Sequence, residues 1–396
     1  MIEKLSFRSF KSIENLGFEP STVNILIGAN GSGKSNVLEA IGVLSAAAGG
    51  RVDDESLLRR GVRPGLPSLY KSSFSGTKRS LHIYFGAWSD HASYEVSLFN
   101  PIEDPQPEWR YHTESLRENG EKRVGRSHRG KDKYNPEAGL AALMMVEMDS
   151  ESPSMRLLRE LRDFAIYSPD TNTLRGINPD MQQRKPIGLS GGHLPAALSD
   201  LLKQKNSTNF NFVKKVRQEA LSLIDWAKSY GTATPTEIPL SSSVGSTQRV
   251  IRFTDRYMQP NRNVLSGYDA SEGALFILFH AVLAAHPKSP VISAVDNADH
   301  ALNPRLARAL LSNICEWYLD SPRPRQIFLT THNPLALDGI PLQNDRVRLF
   351  TVSRTDKGHT VVQRVVLDEK LQKMAEKGWT LSRLWVMGHL GGVANV

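Results

Sequence analysis

The stretch that decides the fold is "TVNILIGANGSGKSNVLEAIGVLSAAAG", residues 22–49. A β-rich apolar run enters a glycine loop, and a pattern of helical spacing leaves it and stops at glycine. The loop, Gly28–Ser35, satisfies G-x-x-x-x-G-K-[ST] in full, and its place between a strand and a helix gives the motif its meaning. Gly28, Gly31 and Gly33 allow backbone angles that turn N–H groups toward phosphate oxygens. The helix behind them points its positive end at the same anion. In this geometry Lys34 reaches the β- and γ-phosphates and Ser35 ligates Mg²⁺. Asn30, Gly31, Ser32, Gly33, Lys34 and Ser35 are therefore the expected contacts to ATP and Mg²⁺.

A phosphate loop of this kind needs a second carboxylate at the end of a neighbouring apolar strand. "VISAVDNADHALNP", residues 291–304, supplies Asp296 there. Further on, "IFLTTHNP" reads as a strand with Thr330, Thr331 and His332 at its carboxyl end, where α/β proteins bind ligands. The order of phosphate loop, acidic strand and histidine strand favours His332 at the γ-phosphate or the attacking water over a plain turn cap.

Outward from these motifs, "IEKLSFRSF" alternates as a strand, and "SLHIYFGAW" and "SYEVSLFN" predict a hairpin on an antiparallel sheet. Residues 117–134, "RENGEKRVGRSHRGKDKY", read as a mobile loop or hairpin tip. It is either a solvated surface loop or a contact to DNA or RNA backbone through Arg123, Arg126, Arg129, Lys131 and Lys133. "GLAALMMVEMDSESPSMRLLRELRDFAIY" and "FNFVKKVRQEALSLIDWAKSYG" carry helical periodicity. The β pattern returns after residue 247, and "DRVRLFTVSR" with "HTVVQRVVL" ends it as a hairpin. The expected division is 1–135 for the first part of an ATPase head, 136–240 for a mostly helical insertion or lid, and 241–396 for the rest of the head.

The 396 residues can bury a large core, and 40% hydrophobic with 23% charged residues fits a globular protein. The longest apolar run, "ALFILFHAVLAA", is too short to span a bilayer, and "MIEKLSFRSF" lacks the core of a signal peptide. One cysteine, Cys315, lies in an apolar helical pattern and reads as a buried structural thiol in a reducing cytoplasm. A net charge of +8 favours an anionic partner without requiring one.

These residues resemble the ABC-type ATPases of the SMC, RecF and OLD group, above all through "LSFRSFKSIENL" followed by "VNILIGANGSGKSNVLEAI". The resemblance covers roughly residues 1–110 and 245–355. It implies a P-loop ABC-type head with a mixed sheet, an antiparallel β subdomain and a helical insertion. It also implies that two heads clamp two ATPs, each held by one phosphate loop and the partner's signature. Two signature candidates exist, "LSGGH" (189–193) and "SEGAL" (271–275). A signature opens a helix shortly before the acidic strand, which selects Ser271, Glu272 and Gly273, with Ser271 as N-cap. "LSGGH" comes too early and reads as a structural turn. Lys11, in "SFKS", is a candidate basic contact to nucleotide, and Gln106 sits in a turn, so the lid residue stays unassigned.

The group usually reads D-E-P-E in the acidic loop, whereas here Asp296, Asn297, Ala298 and Asp299 stand there. An amide orients water but cannot take its proton. Three outcomes follow: slow hydrolysis, near-normal hydrolysis using Asp299, His300 or His332, or binding without turnover. The residues after His332 hold no D-x-D pair or histidine cluster for a nuclease. The resemblance then points to the ATPase halves of two-gene anti-phage systems: an oligomeric, cytoplasmic sensor and scaffold for a nuclease-like effector encoded nearby. The alternative is a DNA-repair ATPase that clamps duplex DNA. The C-terminal "EKGWTLSRLWVMGHLGGVANV" is either a docking element or a final helix packed on the core.

Overall fold

The computed structural model describes residues 1–77, 80–127, 134–144, 151–204, 209–238, 240 and 248–391. The chain lays down β1 (Lys4–Phe10), β2 (Ile13–Phe18) and β3 (Val23–Ile27), then the phosphate loop and α1 (Lys34–Ala48). The short α2 (Asp54–Leu58) and α3 (Pro67–Tyr70) precede β4 (His82–Trp88), β5 (Ala92–Phe99), β6 (Arg110–Glu118) and β7 (Glu121–Arg126). Next come α4 (Leu140–Met144), α5 (Pro153–Arg162), β8 (Ala165–Tyr167), α6 (Thr171–Arg175), α7 (Leu194–Lys203), α8 (Phe210–Leu223) and β9 (Ala227–Ala233). They are followed by β10 (Val250–Asp255), β11 (Val264–Ser266), α9 (Glu272–Ala285), β12 (Ile292–Val295), α10 (Pro304–Leu319) and β13 (Gln326–Thr331). A 3₁₀ turn (Pro334–Gly339), β14 (Val347–Arg354), β15 (Thr360–Arg364), α11 (Glu369–Glu376) and α12 (Leu381–Val386) close the chain.

Three sheets result. The central one has the order β15-β14-β3-β13-β12-β8, parallel except for β15. The second, β2-β1-β4-β5-β6-β7, is antiparallel throughout. A third, smaller sheet is β11-β10-β9. All five residues of β3 are buried because the central sheet is covered on both faces. Its side chains alternate between two cores, as strand geometry requires. Val23, Ile25 and Ile27 face the core built with α7, α8, α9 and α10. Leu26 faces the other, with α1, α5 and the antiparallel sheet. Phe328 on β13 repeats the pattern between Ile327 and Leu329.

The structure departs from the sequence reading at three places. "FAIY" does not finish a helix: α5 stops at Arg162, and Ala165–Tyr167 pair with β12 as a fully buried edge strand. "WAKSYG" likewise leaves α8 and pairs with β10. The segment 136–240 is thus rich in helices but also supplies strands to two sheets. Third, residues 117–126 form the ordered end of the β6–β7 hairpin, with the turn at Asn119–Gly120. Arg126 is buried, and its guanidinium donates to the carbonyls of Tyr111, Asn135 and Ala138, so it is not placed for a phosphate. Arg129, Lys131 and Lys133 lie outside the described residues. At the other end, α12 packs on the core through Leu384 and Trp385, and Asp338 accepts from the Ser382 N–H and hydroxyl.

Phe350 on β14 and Phe18 on β2 meet edge to face with ring centroids 5.4 Å apart, which joins the central sheet to the antiparallel one. Phe350→Ala should lower unfolding stability by about 3–5 kcal/mol, read as a reduced urea midpoint at unchanged m-value.

Candidate nucleotide site

The phosphate loop is shaped from behind. A Cβ at Gly28 would lie 2.1 Å from the Val352 carbonyl oxygen on β14, and one at Gly33 would lie 2.2 Å from Thr360 Oγ1 on β15. Gly33 also has φ 110° and Gly31 φ 75°, which side chains disfavour. A relay of hydrogen bonds holds this back wall. Asn36 Nδ2 donates to Ser12 Oγ (2.6 Å), Ser12 Oγ and Thr360 Oγ1 are 2.7 Å apart, and Thr360 Oγ1 donates to the Ser32 carbonyl (3.0 Å). The Lys34 ammonium bends back to the carbonyls of Gly28 (2.7 Å) and Ala29 (3.0 Å). Asn30 and Gly31 are exposed at the loop's tip.

Ser35, Asp296 and Thr330 meet at one point beside the phosphate loop. Ser35 Oγ donates to Asp296 Oδ2 at 2.9 Å, and Thr330 Oγ1 donates to Asp296 Oδ1. Thr330 Oγ1 also accepts from the Asn297 backbone N–H at 2.8 Å. A hydroxyl and a carboxylate 2.9 Å apart are oxygen donors suited to a hard divalent cation. With Mg²⁺-nucleotide bound, Ser35 and Asp296 would hold the metal, and the metal would neutralise phosphate charge. Lys34 would then exchange its loop carbonyls for phosphate oxygens.

Asn297 has φ 55°, the left-handed conformation that Asn tolerates better than Glu. Its backbone carbonyl accepts from His300 N–H (3.0 Å), and its Oδ1 is buried with no hydrogen-bond partner among the described residues. The Asp299 carboxylate pulls the pKa of both Lys34 and His332 upward, against the stronger effect of burial that leaves both lowered. Partial burial, and then the Lys34 charge, push the pKa of the His332 imidazole below its usual range, which favours the neutral form. His300 is exposed, with its ring 5.7 Å from Phe276 of α9.

Lys11 faces a different group. Its ammonium pairs with Glu39 of α1 at 2.5 Å and lies 4.7 Å from the Tyr70 ring centroid. Glu39 is 2% exposed and also binds Arg63 Nε at 2.6 Å. This Lys11–Glu39–Arg63 cluster escaped sequence reasoning, because nothing local in the sequence links residues 11, 39 and 63. Thr360 escaped for the same reason.

Ser271 is the N-cap residue of α9, and its side chain makes no capping hydrogen bond. Its hydroxyl accepts from Trp226 Nε1 (3.3 Å), and Glu272 accepts from the Thr171 hydroxyl. Gly273 faces Leu302 and Leu306 at the Cβ limit. Among the described residues, no hydrogen bond or ion pair joins Ser271, Glu272 or Gly273 to residues 28–35 of the same chain. "LSGGH" is a turn into α7: Asp180 accepts from the backbone N–H groups of Ser190 and Gly192, and His193 is the α7 N-cap at φ 65°. Gln106 is bound in a turn to Asn100 and Asp104. The chain nearest Asp296 on its far side is instead the exit of β8, where the Tyr167 carbonyl accepts from Asp296 N–H (2.9 Å).

A family described as "AAA domain, putative AbiEii toxin, Type IV TA system" matches residues 23–143. The chain is 43% identical over 68 residues to the DNA replication and repair protein RecF of Renibacterium salmoninarum, a match spanning 16% of this chain and 17% of that protein. The chain also superposes on an SMC head bound to the C-terminal winged-helix domain of ScpA. That likeness has a TM-score of 0.56 and 15% identity, and covers 94% of this chain and 99% of that one. A second SMC head, from Pyrococcus furiosus, overlaps with TM-score 0.48 and 16% identity over 95% of this chain and 98% of its own. The fold is that of a P-loop ATPase head. The phosphate-loop motif and the RecF match add a sequence likeness to ABC-type ATPases of the SMC/RecF group within that fold. No described helix is long and apolar enough to cross a membrane.

Burial lowers the Lys34 pKa from 10.5 to about 8, against the opposing pull of Asp296 and Asp299. The folded protein thus loses this proton before the unfolded chain does, and stability gains from Lys34 as pH rises from about 8 toward 10.5. Nucleotide phosphates favour the charged form, so affinity should run the other way. It should weaken as pH rises through about 8, by up to about tenfold per unit, with proton uptake on binding seen by calorimetry in buffers of different ionisation enthalpy. Gly33→Ala, which puts a Cβ on Thr360 at a left-handed backbone position, should abolish nucleotide binding in the same titration.

Proposed function

We propose that this protein is an ATP-binding head that hydrolyses ATP slowly, dimerises around it, and uses the dimer to hold or release a partner effector in anti-phage defence. The observation that carries the slow-turnover reading is Asn297. Its backbone is tied to Thr330 beside the metal-binding carboxylate, and its side-chain oxygen is unpaired. The amide oxygen can accept from the attacking water and orient it, but the proton must go elsewhere. A missing general base slows a reaction by about 10²–10⁴-fold. Asp299 and the neutral His332 are the nearby groups left to accept that proton.

Dimerisation is supported by the separation of the two half-sites. Ser271, Glu272 and Gly273 open α9 with their backbone N–H groups at the positive end of the helix, away from their own phosphate loop. A partner's γ-phosphate completes that anion site. The SMC head bound to a ScpA domain supports a head that docks another protein, and the toxin–antitoxin description of the matching family supports a two-protein arrangement. The RecF likeness and the net charge of +8 support the second reading, a head that clamps duplex DNA.

In single-turnover assays the wild type should be slow, and Asn297→Glu should speed it by at least about tenfold despite some backbone strain. Fast wild-type turnover that Asn297→Glu leaves unchanged contradicts the slow-head reading. By light scattering, Mg-ATP should convert monomer to dimer, and Lys34→Ala and Ser271→Arg should each prevent this. Co-purification with the product of a neighbouring nuclease-like gene, in the presence of ATP, separates the effector reading from the DNA clamp.

A further inference from the structure

We propose that the protein has a second phosphate-binding site, at the end of α1 opposite the phosphate loop. A cavity of about 860 Å³ opens there, between α2, the C-terminal ends of α1 and α5, the loop at Arg184 and the segment entering β12. Seven basic and three acidic residues line it. Two of the acids are already engaged: Asp53 by Arg51 at 2.6 Å, and Glu55 by Arg59. Beside Arg162, the cavity is lined by Arg60, Arg184, Lys185 and Lys288, with one further lining carboxylate, Asp163.

Two of these guanidinium groups are fixed in place by neutral acceptors. Arg60 donates to Ser45 Oγ (2.7 Å) and to the carbonyls of Ser56 (2.7 Å) and Arg162 (3.3 Å). Arg184 donates to the carbonyls of Phe164 and Asp163. Gly49 makes room, because a Cβ there would lie 2.8 Å from Arg60 Nη2. Burial first, and then repulsion from the neighbouring Arg184 charge, lower the Arg60 pKa to about 10. A bound anion removes that repulsion. Fixed guanidinium forks with two exposed lysines at the rim suit phosphate oxygens. The lining has no aromatic ring on which a base could stack, so the phosphates are what is recognised.

The cavity is separate from the ATP site. The 15 residues of α1 place it about 22 Å from the phosphate loop. Val291, just before β12, lines the cavity, while Asp296 beyond the same strand belongs to the ATP site.

The test uses the full chain carrying Lys34→Ala, without Mg²⁺, so that the ATP site contributes little. Inorganic tripolyphosphate is titrated calorimetrically, and a short labelled DNA duplex is then added as competitor. Tripolyphosphate should bind, and Arg184→Glu with Lys288→Glu should weaken it by about tenfold or more while thermal unfolding stays the same. If that variant misfolds, Lys185→Glu with Lys288→Glu, both on exposed side chains, should weaken binding in the same way. Displacement by the duplex identifies nucleic-acid backbone as the source of the phosphates. Displacement by free nucleotide but not by duplex identifies a small phosphate ligand. Equal affinity in wild-type and charge-reversed cavities, or no tripolyphosphate binding at all, overturns the proposal.

Discussion

Asp296 is the point through which the site is held together. One of its oxygens accepts from Ser35 at the start of α1, and the other accepts from Thr330 at the end of β13. A single carboxylate therefore ties the phosphate loop, the acidic strand and the histidine strand. Thr330 extends the tie by accepting from the Asn297 N–H, while its carbonyl accepts from the N–H of Ala298. The acidic loop is thereby pinned in its turn, with Asn297 and Ala301 both at positive φ. A carboxylate so satisfied is ready for a cation, because its oxygens need only trade a hydroxyl donor for the metal.

From this tie the order of the central sheet becomes intelligible. The carboxyl ends of β3, β12 and β13 lie side by side, because parallel pairing with short exits puts them there. Ser271, Glu272 and Gly273 at the start of α9 do not belong to this cluster. That helix is wedged instead against α6, where Thr171 binds Glu272, and α6 follows directly from the exit of β8 beside Asp296. The route from Asp296 beyond β12 to the start of α9 is therefore only a few residues long.

Much of this was legible from the sequence because the chemistry is local. Gly28–Ser35, Asp296, the turn after β13 and the helix opening at Ser271 each announce themselves within a few residues. What could not be read depends on distant pairings. Ala165–Tyr167 is three apolar residues behind an amphipathic helix, and only the neighbouring β12 turns it into a strand. Ala227–Gly231 continues a helical pattern until β10 captures it. Lys11 looks like a free cation in "SFKS", and only folding brings Glu39 to it. Arg126 looks like part of a solvated basic run, yet it closes the antiparallel sheet from inside.

The back wall of the phosphate loop carries a last consequence. Residues 23–143 contain the whole recognisable motif, but Val352 and Thr360, more than three hundred residues downstream, set the space in which its glycines fit. During synthesis the motif emerges early, before β14 and β15 exist to close behind it. The capacity to hold a nucleotide thus arrives late in the life of the chain, when the head is nearly complete. A nascent or truncated fragment carries the signature of a nucleotide-binding protein without the cradle that makes it one.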